Sequence, residues 1–152
     1  LKVQLSEELQ SLDKSEERQL AVKQQPLARF APISLRLMLG ILFIVHAVLK
    51  FTSMALMVQF FSHIGIPLPS IAVPFIASLE LVGGVCLILG VGTRIFSALL
   101  TIDMIVAIST ARLSAGFVGG YEFELTLVAG LVALVLSGPG ALALIRNNSL
   151  FA

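Results

Sequence analysis

The feature that most constrains this chain is the recurrence of apolar runs about twenty residues long and almost free of charge, at 32–51, 71–91, 93–112 and 121–137. At 1.5 Å rise per residue, a helix of that length crosses the roughly 30 Å hydrocarbon core of a bilayer. In lipid only helices and closed barrels satisfy every backbone N–H and C=O, and runs without strict alternation are helical. Hydrophobic residues make up 57% of the 152 and charged residues only 12%, with a mean hydropathy of +1.00. A soluble domain this small could not bury so much apolar surface. The fold class is therefore all-α: a membrane bundle of four transmembrane helices.

Proline and glycine punctuate the runs. Pro32 suits the first turn of the first span, Pro74 lies near the start of the second, and Gly90 and Gly92 close it. Thr93-Arg94 opens the third span after a very short turn. Gly116, Gly119 and Gly120 form the loop before the fourth, which Gly138-Pro139-Gly140 stops. Between the first two spans, residues 52–64 mix Met54, Leu56, Met57, Phe60 and Phe61 with Gln59, Ser62 and His63. That composition predicts a short helix lying in the membrane interface, ended by Gly65-Ile66-Pro67-Leu68-Pro69.

The segment ahead of the first span differs in kind. Up to Phe30 it carries five basic and five acidic residues, with Leu5, Leu9, Leu12 and Leu20 near helical spacing, a start signal at Ser6-Glu7-Glu8-Leu9 and a stop at Pro26. It reads as an amphipathic arm, solvated or interfacial, whose leucine stripe is available to a partner subunit. The first apolar run lacks the layout of a cleaved signal and is expected to be retained. The organisation is thus an arm over 1–31, a bundle over 32–140 and a tail over 141–152. Arg18, Lys23, Arg29, Arg36, Arg94 and Arg146 flank the spans on the N-terminal side, against Lys50 and Arg112 on the other. The positive-inside rule then places both termini in the cytoplasm, with the bundle in the plasma (inner) membrane.

Composition also bounds the chemistry. Cys86 is the sole cysteine, which excludes an internal disulfide or a cysteine-ligated cluster within one chain. His46 and His63 are the only histidines, in no metal-binding spacing, so no metal site is expected. The net charge of +1 gives no basic surface for nucleic acid, and the lipid bilayer is the certain partner.

Ionisable side chains inside a span cost roughly 2.5–3.5 kcal/mol each on insertion scales, so they are retained where they are paired or functional. Glu80 and Asp103 sit about nine residues from one end of their spans, near the midplane. Asp103 has no basic residue within a turn or two of it and needs a partner on another helix or must be protonated. Arg36, Phe43 and Lys50 recur every seven residues on one face of the first span, with His46 a turn before Lys50. Lys50, Arg112, Tyr121, Glu122 and Glu124 all come from the outer ends of their spans, predicting a polar cluster at the outer mouth with Glu80 below it. The candidate site is accordingly His46, Lys50, Glu80, Asp103, Arg112, Tyr121 and Glu122, with no catalytic role assigned. The bland reading is that Lys50 and Arg112 neutralise Glu80 and Glu122 and fix helix register. Arg36 and Arg94 read as interfacial anchors snorkelling toward phosphates, and Gly83, Gly84 and Gly90 as points where helices approach closely.

The same residues carry a family resemblance. Arg36 with Leu39-Gly40, His46-Ala47-Val48-Leu49-Lys50, Phe60-Phe61 with Gly65-Ile66-Pro67, Glu80-Leu81-Val82-Gly83-Gly84, Leu89-Gly90 with Thr93-Arg94, Gly119-Gly120-Tyr121-Glu122 and Gly138-Pro139-Gly140 together resemble the DoxX family of small four-helix membrane proteins. The ordered set runs from about residue 33 to 140; the arm lies outside it, and the tail departs from the Ser-Leu-Asp ending the family pattern expects. The family is mixed, its members being linked to terminal quinol oxidases, thiosulfate:quinone oxidoreduction and oxidative-stress assemblies, so the resemblance implies quinone as the common thread. Three functions then fit. The leading one is an accessory subunit of a larger membrane electron-transfer complex, with no cofactor bound by this chain alone, that stabilises the assembly or shapes a quinone path. The second is a quinone-reactive subunit using Lys50 and Glu80 for protons, and the third a small carrier or channel.

Overall fold

The computed structural model describes residues 4, 10, 12, 14–16 and 30–144. The chain divides into two units, Leu1–Ala31 and Pro32–Ala152. In the first, Gln4, Gln10, Leu12 and residues 14–16 are helical and exposed. Leu5, Leu9, Leu20 and Pro26 lie outside the described residues, as does the tail from 145 onward.

The second unit is built of helices. Helix α1 runs Ala31–Thr52, α2 Met54–His63, α3 Pro69–Leu89, α4 Thr93–Ala107 and α5 Glu122–Ser137. Among the described residues, four stretches are long and apolar enough to cross a membrane: Ala31–Thr52, Pro69–Leu89, Thr93–Ala115 and Phe117–Ser137. The last two are longer than the sequence predicts, because the chain past α4 stays helical by changing its winding. A π turn over Ile108–Arg112 and a 3-10 turn over Leu113–Ala115 carry it to Gly116. A broken turn over Phe117–Tyr121, non-helical at Val118 and Gly119, then leads into α5. What reads in the sequence as a glycine loop is therefore mostly wound backbone.

The spans alternate in direction, so the molecule has an end near Arg36 and an end near Lys50. At the Lys50 end, α1 stops at Thr52, whose hydroxyl donates back to the Val48 carbonyl at 3.0 Å and the Leu49 carbonyl at 3.1 Å. Helix α2 follows after Ser53. Leu68, with φ 50°, turns the chain sharply into α3, and Pro69 occupies the first turn where its missing N–H costs nothing.

Lipid offers no hydrophobic drive for helices to associate, so close packing of small residues and interdigitated side chains does that work. Leu39 and Phe43 from α1, Leu87 from α3, Leu100 and Met104 from α4 and Leu127, Leu131 and Leu134 from α5 form one core. Helices α1 and α3 cross at Gly40 and Gly84. A Cβ on Gly40 would stand 2.7 Å from the Gly84 carbonyl oxygen, and one on Gly84 would stand 2.7 Å from that of Gly40. Such reciprocity marks backbone against backbone, with room for Cα–H···O contacts and none for a methyl. Gly83 faces Leu100 of α4 instead, so the sequence located part of the close approach and missed Gly40. Exposed Met38, Ile41, Phe75, Ile102 and Leu136 face outward, as lipid-facing positions do.

Arg36 corrects the sequence reading. It is 3% exposed, with its guanidinium turned into the protein. Its Nε donates to the Leu87 carbonyl at 2.8 Å, Nη2 to Ile88 at 2.9 Å and Nη1 to Pro139 at 2.7 Å. The last carbonyls of a helix have no intrahelical donor, and the negative end of the helix dipole favours a cation there. Gly90 (φ 72°) ends α3 with Val91 N–H donating to Cys86 and Gly90 N–H to Leu87, the paired bonds of a Schellman cap. A side chain on Gly90 would point into the Arg36 guanidinium. One arginine thus joins α1, the end of α3 and the turn after α5.

Candidate functional site

At the Lys50 end the bundle opens into a cavity of about 320 Å³. Its floor comes from α1, α3 and α4, one wall from α5, and its cover from α2, which contributes Met57, Phe60 and Phe61. The helix expected in the interface thus also lines the cavity, with Phe61 buried.

Glu80 is fully buried at the base, and Lys50 Nζ donates to its Oε2 at 2.6 Å. Burying either charge alone would be prohibitive, and pairing them makes the carboxylate tolerable in a low dielectric. Asp103 of α4 faces the same pair from across the bundle, close enough for its carboxyl to interact with both Glu80 and Lys50. Glu80 Oε1 and Asp103 Oδ2 are nevertheless buried without a hydrogen-bond partner among the described residues.

His46 lines the cavity one turn below Lys50 and meets the Phe123 ring edge-on, with centroids 5.9 Å apart. Arg112 lies at the mouth, its Nε donating at 3.1 Å to Oε1 of Glu124 and not to Glu122. Residues two apart on a helix point about 200° away from each other, so only one of the two glutamates can face the cavity. Glu122 looks the other way and accepts the Gly119 N–H at 3.0 Å, holding the broken turn. Tyr121 packs edge-on against Phe117 with centroids 5.5 Å apart. The structure thus brings together His46, Lys50, Glu80, Asp103 and Arg112 and leaves Tyr121 and Glu122 outside the cavity lining. The π turn of α4 is what delivers Thr110, Ala111 and Arg112 to the cavity, and such turns recur at functional sites because they re-aim side chains.

A four-span helical membrane protein with a paired, buried lysine–carboxylate set beneath a folded-over amphipathic helix is the class that fold and cavity define. The DoxX family model matches residues 31–113, and the chain belongs to the DoxX family. It is 43% identical over 110 residues to "Putative oxidoreductase CatD" of Bacillus subtilis (strain 168), covering 72% of this chain and 81% of that protein. It is 33% identical over 131 residues to "Uncharacterized membrane protein Rv3486" of Mycobacterium tuberculosis, covering 77% of this chain and 80% of the other. No solved structure matches the chain.

Proposed function

We propose that this protein is the membrane subunit of an electron-transfer assembly and holds a quinone head group in the cavity beneath α2. The observation that carries the reading is the Lys50–Glu80 ion pair with Asp103 beside it, set at the base of an otherwise apolar cavity of about 320 Å³. Ligand sites of this kind combine apolar walls with a few convergent polar groups, and that volume, near the lower end of their usual range, suits a single substituted ring. The orphaned carboxylate oxygens of Glu80 and Asp103 fit a group that exchanges protons at its ring oxygens. A quinone supplies two-electron, two-proton chemistry when bound. The chain's own residues hold and position the proton: Lys50 fixes the Glu80 carboxylate, Asp103 lies beside the pair, and Met57, Phe60 and Phe61 give the cavity an apolar side for a ring. With one cysteine and two histidines, the electrons are expected to come from a redox centre on a partner. A relative bears the name of an oxidoreductase, which supports a redox role in general terms. We place both termini on the cytoplasmic side of the plasma membrane, by the same asymmetry of Lys and Arg noted above.

A channel reading is disfavoured by the other half of the bundle. Leu87, Leu100, Leu131 and Leu134 are fully buried and leave an apolar plug in the core.

The test uses the full chain in lipid nanodiscs with a photoreactive azidoquinone. Adducts are expected on cavity residues such as Met57 and Met104, competed by excess unlabelled quinone and reduced about tenfold by Lys50→Met with Glu80→Gln. Labelling confined to lipid-facing positions such as Met38, indifferent to competitor, would overturn the reading.

A further inference from the structure

The charged groups around the cavity pair off and leave one acid over. Arg112 meets Glu124 at the mouth at 3.1 Å, and Lys50 meets Glu80 at the base at 2.6 Å. Asp103 is the remaining acid among the described residues of the lining. The ionisable groups that line the cavity with it come from each neighbouring element: His46 and Lys50 from α1, Glu80 from α3, Arg112 from the π turn and Glu124 from α5. Helix α2 lines it with no ionisable side chain. His46 packs on the ring of Phe123, and each of the two fixed cations already holds a carboxylate.

What Asp103 meets is Glu80, and the two carboxyls hydrogen-bond to each other. An ionised carboxylate only accepts hydrogen bonds, so a bond between two carboxyls requires a proton on one of them. Lys50 donates to Glu80, and an ammonium pairs best with an ionised oxygen, which leaves the proton with Asp103. Counting charge gives the same result. With Lys50, Glu80 and Asp103 all ionised, one negative charge would be left over in a buried trio, whereas a single proton brings the sum to zero. Two carboxyls beside one cation then titrate as a unit. We propose that Glu80 and Asp103 form a proton-sharing dyad neutralised by Lys50, so that the cavity holds one exchangeable proton before any ligand enters. The dyad deepens the site reading above and rests on it for the use of that proton. Asp103 is the group that carries the proton, and Lys50, acting through Glu80, is a positioning residue.

The experiment is infrared difference spectroscopy of the full chain in nanodiscs, without ligand, at neutral pH, where exposed carboxyls are ionised. Asp13 and Asp103 are the only aspartates in the sequence, so an Asp13→Asn chain made with heavy-carbon aspartate carries its side-chain label on one carboxyl. The expected result is a carboxylic-acid C=O band that moves with the label. Glu80→Gln should abolish that band, because Lys50, which already interacts with Asp103, then has the Asp103 carboxylate to hold. A labelled group seen only as a carboxylate in the Asp13→Asn parent overturns the dyad, and that outcome needs no cavity variant to fold. An acid band unchanged by Glu80→Gln overturns it too, by showing that burial alone keeps the proton on Asp103. Because no ring probe enters this measurement, loss of the acid band leaves the ring site standing, and failure of azidoquinone labelling leaves the dyad standing.

Discussion

Replacing Arg36 by methionine removes three hydrogen bonds at once, to the carbonyls of Leu87, Ile88 and Pro139. Each hydrogen bond from a charged donor contributes about 1.5–3 kcal/mol net, so the three together are worth roughly 5–9 kcal/mol. Against this stands the cost of keeping a guanidinium out of water, several kcal/mol, which methionine does not incur. The expected loss is about 3–5 kcal/mol, or a factor of about a hundred to a few thousand in the folding equilibrium at 1.4 kcal/mol per tenfold. Arg36→Lys should fall between, at about 2 kcal/mol, because an ammonium is a single point that cannot fork to three carbonyls on two elements. Titration of the purified protein with sodium dodecyl sulfate in mixed micelles, followed by circular dichroism, measures both. If Arg36 were instead an anchor for lipid phosphates, lysine would serve as well and methionine would cost little. Both variants lying within about 0.5 kcal/mol of the parent would therefore refute the argument. Gly90→Ala offers an independent check: it demands a strained backbone, about 1–2 kcal/mol, and drives its methyl into the guanidinium, so its loss should shrink in an Arg36→Met background.

Lys50→Met leaves Glu80 charged and buried without its cation, and should destabilise by about 2–4 kcal/mol in the same unfolding assay, whereas Lys50→Met with Glu80→Met should return to within about 1 kcal/mol of the parent. Gly84→Ala sets a methyl 2.7 Å from the Gly40 carbonyl oxygen, so α1 and α3 must separate; a loss of about 1–3 kcal/mol is expected, and Gly83→Ala, which meets only the movable Leu100 side chain, should cost less. Arg112→Gln breaks an ion pair whose guanidinium side is 53% exposed, and thermal stability should change by less than about 1 kcal/mol.

The architecture was legible because lipid makes few demands and enforces them strictly. Span number and the breaks at Gly90 and Gly138 follow from apolar runs and glycines alone. Lys50 with Glu80 was legible for a similar reason: a charge at the midplane needs an opposite charge, and few were available. Three features left no such trace. Arg36 binds carbonyls, which every residue has, so no residue type announces its partners. Arg112 reaches the cavity because a π turn resets the face of the chain after α4, and a 3.6-residue periodicity cannot foresee where winding changes. The cover made by α2 depends on the chain folding back over the bundle, whereas its composition alone reads as a helix for the membrane surface.

The Arg36 junction also orders how the protein must be made. Arg36 emerges from the ribosome early, but its acceptors at Leu87 and Ile88 follow 51 and 52 residues later, and Pro139 follows 103 residues later. Until the second span has been inserted, that guanidinium must be held by water or lipid headgroups at the edge of the bilayer, and its third acceptor arrives only after the last span. Closing the junction is then a late step of assembly, and a nascent chain interrupted before residue 139 leaves it incomplete.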